Sequence, residues 1–163
     1  MFIISPTARI SPLADLEDSV RGSEIRIEDG VVIDSFVKLK PAGGTGNVRI
    51  GRNCSINSGV VIYIGNGVMI GDNVAIGANT TLAPTNHAYQ DRSRLIRDQR
   101  FLPSRGGIVI EDDVWLGANV VLLDGAVVGT GSIVAAGSVV RGRLEPHSIY
   151  AGSPAKRLGA RGG

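Results

Sequence analysis

Aliphatic residues recur at every sixth position over two long stretches of the chain. The first stretch has a Gly-rich interruption at residues 40–47 and a two-residue slip near Tyr63. Its members are Ile27, Ile33, Leu39, Ile50, Ile56, Ile62, Ile70, Ile76 and Leu82, and those of the second are Ile110, Leu116, Leu122, Val128, Val134 and Val140. Six residues make about 1.67 turns of an α-helix, so a helical apolar face would rotate away from its neighbours. The pattern therefore excludes helices and indicates strands.

A second small or apolar residue stands two positions before most of these anchors. The set is Val48, Cys54, Val60, Val68, Val74, Thr80, Ile108, Val114, Val120, Ala126, Ser132 and Ser138. Apolar residues at i and i+2 face the same side of a strand. Each repeat is thus predicted to contain a short strand with one buried face.

Three residues after most of the anchors, and directly before Val68, the chain has glycine, asparagine or aspartate. The ten residues are Asn53, Gly59, Gly67, Asn73, Asn79, Asp113, Asn119, Gly125, Gly131 and Gly137. These residue types tolerate a left-handed backbone, so each strand is predicted to end in a sharp turn. Strands this short can coil and stack at about 4.8 Å. We therefore predict an all-β fold, a parallel β-helix of hexapeptide repeats.

The chain of 163 residues is predicted to form a single domain. Residues 1–26 show a weak pattern, which indicates an irregular start or an imperfect first turn. Coils are predicted over residues 27–82 and 108–140, with a tail over residues 141–163. In that tail Ser153 followed by Pro154 is a good helix start, so a short C-terminal helix is predicted.

Between the two repeat blocks a long excursion, near residues 83–107, leaves the regular structure. Loops of this length are usually functional or disordered. The excursion contains His87, and a neutral imidazole is the usual general base for an alcohol or amine. Asp91, four residues later, is a candidate to orient the ring, and Asn86 is a candidate to bind substrate. The alternative is a solvated loop histidine; His147, beside Pro146, is interpreted as a surface residue.

Trp115, the only tryptophan, lies between two inward positions and should point outward. Either an oligomer contact or a ligand tail along the coil would cover it. Basic residues cluster in the excursion and in the tail, where they either form solvated faces or bind phosphates. They are Arg92, Arg94, Arg97, Arg100, Arg105, Arg141, Arg143, Lys156, Arg157 and Arg161.

Composition narrows the function classes. Cys54 is the only cysteine, so no intrachain disulfide or cysteine-based metal cluster is available. A net charge of +2 does not by itself indicate a nucleic-acid partner. The apolar run at the N-terminus is too short for a signal peptide or a membrane span. We therefore expect a cytoplasmic protein without stable membrane insertion.

Several ordered segments over residues 48–158 resemble the hexapeptide-repeat sugar acetyltransferases, a family with galactoside, maltose and cell-surface polysaccharide O-acetyltransferases. They are Asn86-His87-x-Tyr89-x-Asp91, Asp98-Gln99, residues 110–119 around Trp115, residues 136–140, and residues 151–156. The resemblance implies a left-handed β-helix, acetyl-CoA as donor, no metal, and a homotrimer with active sites between neighbouring prisms.

The resemblance also implies roles for particular residues. His87 would deprotonate the acceptor hydroxyl, and Trp115 would flank the pantetheine arm. The groove for CoA would be lined by Gly117, Ala118, Ala135 and Ala136. Near the CoA phosphates or adenine would lie Arg141, Lys156 and Arg157.

Some positions depart from the family pattern. Arg100 stands where glycine is usual, Ser153 where asparagine is usual, and the Arg141-Gly142-Arg143 run replaces a more common Thr-Lys. The chain also lacks the longer N-terminal helical segment of the maltose type. The lack of this segment weakens a small free sugar as acceptor and leaves a polysaccharide intermediate or a sugar-linked carrier open.

The leading hypothesis is direct attack of a sugar hydroxyl on acetyl-CoA, in cell-surface polysaccharide or lipopolysaccharide biosynthesis. One alternative is an N-acetyltransferase of an amino sugar nucleotide, and another is a non-catalytic β-helix protein. A γ-type carbonic anhydrase shares the resembled fold, but it needs three histidine ligands and the chain has two histidines.

Overall fold

The computed structural model describes all residues from 1 to 163 and is a three-sided, left-handed parallel β-helix. The all-β prediction and the hexapeptide coils are thereby confirmed. Twenty-one short strands and one 3-10 helix follow one another along the chain. No helix in it has the length and apolar character needed to cross a membrane.

Each full coil contributes one strand to each of three faces. The first face consists of β1 (Phe2–Ile4), β4 (Ile25–Ile27), β7 (Val48–Ile50), β10 (Val68–Ile70), β13 (Ile108–Ile110), β16 (Val127–Val128) and β19 (Arg143–Leu144). The second face consists of β2 (Arg9–Ile10), β5 (Val32–Ile33), β8 (Ser55–Ile56), β11 (Ala75–Ile76), β14 (Trp115–Leu116), β17 (Ile133–Val134), β20 (Ser148–Ala151) and β21 (Lys156–Ala160). The third face consists of β3 (Asp15–Leu16), β6 (Lys38–Lys40), β9 (Val61–Tyr63), β12 (Thr81–Ala83), β15 (Val121–Leu123) and β18 (Val139–Val140).

The predicted anchors form the core. All fifteen six-residue anchors are at most 2% exposed, and the residues two positions earlier are equally buried. Three of these earlier residues carry hydroxyl groups, and the backbone satisfies them. For example, Thr80 Oγ1 donates to the Gly117 carbonyl at 3.0 Å, and Ser132 Oγ donates to the Glu145 carbonyl at 2.7 Å. The hydroxyls of Thr80, Ser132 and Ser138 therefore enter the aliphatic column with hydrogen-bond partners.

The turn prediction is confirmed at all ten positions, where φ lies between 55° and 105°. Among the non-glycine residues at corners outside the predicted set, Phe36 with φ of 63° and His147 with φ of 51° also have positive φ. Phe36 is also exposed, so a bulky side chain stands at a corner where the other coils place glycine or asparagine. A left-handed residue at each of these corners turns the chain from one face to the next.

We name the corners by the faces that they join: the first corner joins the first and second faces, the second corner joins the second and third, and the third corner joins the third and first. At the first corner, carboxylates accept hydrogen bonds from turn N–H groups. Asp72 accepts from Arg52 N at 2.9 Å, and Glu111 accepts from Thr130 N at 2.8 Å. The backbone N–H of Arg52, with the Arg52 guanidinium, holds the pKa of Asp72 below its ordinary value. Acidic side chains of the chain therefore already occupy these turn N–H groups at the first corner.

Both ends of the chain differ from the sequence-based expectation. Residues 1–26 include β1, β2 and β3, which pair in parallel with the second coil, so the imperfect first turn is the correct alternative. The predicted C-terminal helix is wrong, because Lys156–Ala160 is a strand antiparallel to Ser148–Ala151. Without β21, β20 would be an edge strand with unpaired backbone groups. Pairing with these groups outweighs the local helix signal of Ser153 and Pro154.

We expect Asn119→Ala to lower the free energy of unfolding by about 1–2 kcal/mol, because alanine resists the left-handed conformation. Asn119 has φ of 56°, and its side chain makes no hydrogen bond, so the loss reports on the backbone alone. Urea unfolding measures it.

Asn119→Gly is the matched control and should match the wild type or exceed its stability. Equal stability of the alanine and asparagine proteins would contradict the role of the left-handed turn.

Candidate active site

The excursion, residues 84–107 in the structure, leaves the third corner between β12 and β13 as an irregular hairpin. His87 and Phe101 form an antiparallel bridge. On either side of it, Ala88 N donates to the Arg100 carbonyl at 2.9 Å and Leu102 N donates to the Asn86 carbonyl at 2.7 Å. The far end of the hairpin contains the 3-10 helix Ile96–Gln99. Backbone pairing therefore fixes His87 at the neck of the hairpin.

Gln99 ties the far end of the excursion together. Its amide nitrogen donates to the carbonyls of Asp91 and Arg94, at 2.8 and 3.1 Å, and its side-chain oxygen accepts from Asp91 N at 3.1 Å. The segment before the 3-10 helix is thereby held against the helix itself.

The expected pairing of Asp91 with His87 is absent from the structure. The Asp91 carboxylate accepts from the hydroxyl and the N–H of Ser93, at 2.7 and 2.9 Å. Those two bonds also hold the pKa of Asp91 below its usual value. The spacing of four residues suggested proximity to the ring, but an aspartate in a turn bonds the backbone two residues ahead. Asp91 therefore shapes the loop, and no carboxylate orients His87 within one chain.

A buried carboxylate fastens the base of the excursion. Asp124 is 3% exposed and accepts from Arg105 N at 2.8 Å and Gly107 N at 2.9 Å. It also accepts from the side-chain amide of Asn66 at 3.2 Å. Gly107 has φ of 74°, and a Cβ there would lie 2.4 Å from the Gly67 carbonyl oxygen. The returning strand can therefore reach the coil only at a glycine beside this acid.

His87 is exposed and makes no hydrogen bond through its ring. The ring lies on Phe101, with 4.8 Å between the ring centroids. It borders two open cavities. The outer cavity, of about 410 Å³, is lined by His87, Arg97, Asp98, Arg100 and Phe101. The inner cavity, of about 400 Å³, is lined by Asn86, His87, Tyr89, Leu102, Arg105, Leu123, Asp124 and Arg141.

Two predicted site residues thus lie with His87. Asn86 lines the inner cavity as expected of a substrate-binding residue. Arg141, predicted for the CoA phosphates, lines the same cavity at the third corner. It is therefore separated within one chain from the other residues predicted to bind CoA.

Most of the remaining predicted residues gather near the second corner. Trp115 points outward, as predicted, and is 55% exposed between Ala75 and Ile133 of the adjacent strands. Directly after β14 the chain turns at Gly117 and Ala118, and one coil further on it turns at Ala135 and Ala136. These turns stack tightly, because a Cβ on Gly117 would lie 2.6 Å from Ala136 N.

Backbone donors at this corner are left without acceptors. The N–H groups of Ala78, Ala118 and Ala136, from three successive coils, donate to no atom of the chain. At the first corner, by contrast, the turn N–H groups of Arg52, Asp72 and Thr130 donate to the carboxylates of Asp72, Asp112 and Glu111. The second corner therefore presents a column of unpaired N–H groups lined by small side chains, which suits the carbonyl groups of an extended ligand.

The tail supplies the predicted cations at the upper end of the second face. Lys156 and Arg157 pair with Ala151 and Tyr150 in the terminal hairpin. Arg157 Nε donates to Ser148 Oγ at 3.2 Å, whereas Lys156 is exposed and unpaired. Both lie beyond the coil that carries Ala135 and Ala136.

The two groups of site residues occupy different corners of one prism. The second corner, at Ala118, and the third, at Asp124, are separated by the strand of the third face, or roughly 15–20 Å of extended chain. His87 stays at the third corner, where it shares a cavity with Asp124. One chain therefore does not bring His87 to the unpaired N–H groups.

The sequence-based prediction missed Asp124 and the donor column. A signal for Asp124 was present, since it is an acid directly before the left-handed Gly125 in the first coil after the excursion. The unpaired N–H groups have no signal beyond the absence of acidic residues at residues 77–79, 117–119 and 135–137, the second-corner turns of these three coils.

Two blocks of the chain match hexapeptide-repeat families. Residues 107–142 match the bacterial transferase hexapeptide (six repeats), and residues 47–84 match the hexapeptide repeat of succinyl-transferase. The chain belongs to the hexapeptide-repeat family of bacterial transferases. The family resemblance is confirmed at this level, and the two blocks flank the excursion without covering it.

Relatives of this hexapeptide-repeat chain include acetyltransferases. A Schizosaccharomyces pombe protein assigned to the acetyltransferases is 35% identical over 118 residues, 69% of this chain and 52% of the relative. The Staphylococcus aureus 2,3,4,5-tetrahydropyridine-2,6-dicarboxylate N-acetyltransferase is 50% identical over 54 residues, 33% of this chain and 23% of the relative. The chain thus spans about half or less of the curated relatives that it matches.

Solved structures share the fold over most of the chain. A variant of AntD, an N-acyltransferase from Bacillus cereus in complex with dTDP-4-amino-4,6-dideoxyglucose and coenzyme A, is 25% identical with a TM-score of 0.82; the match covers 97% of this chain and 83% of AntD. A Vibrio cholerae hexapeptide-repeat acetyltransferase in complex with acetyl-CoA is 29% identical with a TM-score of 0.65; that match covers 99% of this chain and 72% of the relative.

Asp124→Asn should release the base of the excursion, because an amide cannot accept from three N–H donors while turning its own NH₂ toward them. We expect a loss of about 1–3 kcal/mol in unfolding free energy. Trypsin should also cleave the arginine-rich excursion faster.

The control is Asp98→Asn, since this exposed acid in the same excursion makes only one ion pair, with Arg97 at 3.7 Å. An unchanged cleavage rate in Asp124→Asn would show that Asp124 does not anchor the excursion.

Proposed function

We propose that the chain is an acetyl-CoA-dependent acetyltransferase that transfers the acetyl group to a hydroxyl of a sugar. The acceptor oxygen attacks the thioester carbonyl carbon while its proton passes to His87. The tetrahedral intermediate then collapses, the carbon–sulfur bond breaks, and the CoA thiolate takes up the proton. The products are an acetyl ester and CoA, and no covalent enzyme intermediate is needed.

The observation that carries this proposal is the presentation of His87. Its ring is exposed, makes no hydrogen bond within the chain, and borders two cavities at the neck of a fastened hairpin. A general base must reach the proton that it removes, so an unengaged imidazole beside open cavities meets the first requirement. The alternative interpretation, a solvated loop histidine, does not explain why hydrogen bonds hold the hairpin at both ends.

The second corner supports acetyl-CoA as the donor. The pantetheine arm is long, thin and rich in amide groups, and Ala78, Ala118 and Ala136 offer unpaired N–H groups along one edge. Trp115 supplies an adjacent apolar surface, and Lys156 and Arg157 supply cations for phosphates. AntD and the Vibrio cholerae enzyme, which share the fold, were solved with coenzyme A and acetyl-CoA.

The separation of the two corners supports a homotrimer with each site between neighbouring chains. Since His87 and the donor column lie at different corners of one prism, a second copy has to supply one of them. The third face between these corners turns uncharged, half-buried residues outward in its upper coils. These residues are Val61, Thr81, Val121, Leu123 and Val139. An uncharged sheet face of this kind suits burial against another copy.

A second candidate function is N-acetylation of an amino sugar nucleotide. It is favoured by AntD, an N-acyltransferase solved with a dTDP-linked amino sugar. The base mechanism is the same for an amine and a hydroxyl, so the site geometry allows both. Mass spectrometry of products from matched hydroxyl and amino sugars, free, nucleotide-linked and lipid-linked, decides between them. An ester on a glycan precursor would support the cell-surface polysaccharide or lipopolysaccharide role, and an amide on a nucleotide sugar would support the alternative.

His87→Gln should lower kcat by about 10²–10⁴-fold, since that is the usual contribution of a general base. Glutamine keeps the size of the ring but cannot accept the proton. Release of free CoA in the presence of acceptor measures the rate.

The matched variant is Asp91→Asn, which alters the nearest acid in sequence and should retain nearly the wild-type rate. Full turnover by His87→Gln would refute the role of His87, and equal losses in the two variants would point to loop structure instead.

A mixing experiment tests the site between chains. His87→Gln removes the base, and Ala136→Trp blocks the donor corner, so each homotrimer should be inactive. Refolded together, the two variants should recover about a quarter of wild-type activity, because random mixing joins an intact loop to an intact corner at one site in four.

No recovery from mixed trimers would mean that each chain builds its whole site alone. Analytical ultracentrifugation supplies the oligomeric state independently, and a monomer under assay conditions would contradict the intersubunit site.

A further inference from the structure

Arg100 has a backbone conformation that is normally adopted only by glycine. Its φ is 63° and its ψ is −142°. In this region the Cβ of an L-residue clashes with the backbone, and a non-glycine residue there costs on the order of 1–3 kcal/mol. A glycine at this position would remove that strain, so the arginine side chain is retained against a local penalty.

Three neighbouring contacts hold the strained residue in place. Gln99, directly before it, binds the Asp91 and Arg94 carbonyls. The Arg100 carbonyl itself accepts from Ala88 N at 2.9 Å. Phe101, directly after it, is bridged to His87. Strain of this kind persists only where the surroundings over-determine it, and it clusters at binding and catalytic sites.

The strained backbone places an unpaired cation beside the proposed base. Arg100 and Arg97 line the outer cavity with His87, against a single acid, Asp98. Asp98 contacts Arg97 at 3.7 Å, and both side chains of that pair are more than half exposed. The Arg100 guanidinium makes no ion pair and no hydrogen bond. The cavity therefore has an excess of positive charge without an internal partner.

Several other arginines have a partner within the chain, unlike Arg100. Arg52 pairs with Asp72 at 2.9 Å, and Arg161 pairs with Asp113 at 2.6 Å. Those pairs tie neighbouring coils together and need no outside ligand. Arg100 has no such structural role, so its retained strain calls for a ligand.

We propose that Arg100, assisted by Arg97, binds a phosphate group carried by the acceptor. The substrate class is thereby a phosphate-bearing sugar, and Arg100 selects it over its neutral counterpart. Two guanidinium groups within one cavity match the several oxygens and the roughly two negative charges of a phosphate better than they match a carboxylate. The inference rests on the proposed function, because the phosphate is taken to belong to the sugar that His87 activates.

The test compares three variants with the wild type. Arg100→Gly removes both the charge and the strain, and Arg100→Ala removes the charge but keeps the strain. Arg92→Ala removes an exposed cation of the same excursion that lines neither His87 cavity. The assay uses acetyl-CoA with a sugar 1-phosphate, a nucleoside diphosphate sugar and the same sugar without phosphate.

Both Arg100 variants should raise KM for phosphate-bearing acceptors by about 10- to 100-fold, the usual effect of losing a charge-assisted hydrogen bond. The KM for acetyl-CoA and the rate with the neutral sugar should not change. Arg100→Gly should also melt at a higher temperature than wild type, and Arg100→Ala should not. Dependence on Arg100 with only one of the two phosphate-bearing sugars would support the proposal and identify the source of the phosphate.

Three results would overturn the proposal. One is an equal loss with neutral and phosphate-bearing sugars, and another is an equal loss in Arg92→Ala. The third is a raised KM for acetyl-CoA with the acceptor KM unchanged, which would assign Arg100 to the phosphates of CoA.

A binding measurement separates this proposal from the proposed function. Titration calorimetry with inorganic pyrophosphate and with dTDP needs no turnover. If no acceptor is acetylated, the proposed function fails; at least tenfold weaker binding of these probes to Arg100→Gly than to wild type and Arg92→Ala would still support the anion site. Equal affinity in all three proteins would refute it.

Discussion

The passage of the chain through a left-handed residue at the corners governs this molecule. Such a conformation is open to few residue types, and it turns the chain without interrupting the strands on either side. Because the turns at the corners are equally tight, inward residues of successive coils fall above one another, and the aliphatic column forms without any long side chain. The stacking of parallel strands then follows from the turns, and so do the straight edges on which the candidate site depends.

The edges differ in what they do with their turn N–H groups. Acids accept from several of these donors at the first corner, whereas those of Ala78, Ala118 and Ala136 stay unpaired at the second, and the third corner carries the long excursion. A single backbone pattern thus produces one edge with acid-capped turns, one edge with unpaired N–H groups and one edge that carries the excursion. The difference arises from one or two side chains per turn and not from any change in the coil.

The inward and turn positions of the coils were predictable from the sequence for a physical reason. These positions depend on local sterics and burial, which a six-residue repeat records directly; hence Ile62 and Asn79 lie where the pattern placed them. The excursion lacks a repeat, so spacing misled the prediction for Asp91, and Arg141 proved to lie with His87. The prediction of a C-terminal helix was wrong because Ser153 and Pro154 indicate only a local preference. The unpaired edge of β20 is a tertiary feature, and Lys156–Ala160 pairs with it as a strand. The strain at Arg100 likewise depends on contacts that the sequence does not display.

The hydrogen bonds to Asp124 at the base of the excursion make it possible to exchange the excursion without changing the coils. Both of its ends are fixed to the coil within a few residues, at Ala83 by strand pairing and at Gly107 by the buried acid, so its interior can change in length and sequence without altering the stacking above or below. Variation there would change the surroundings of His87 while leaving the unpaired N–H groups of the second corner intact. Under the proposed function, exchanging this one segment would change the acceptor, and transplanting it between related coils would carry the acceptor preference with it.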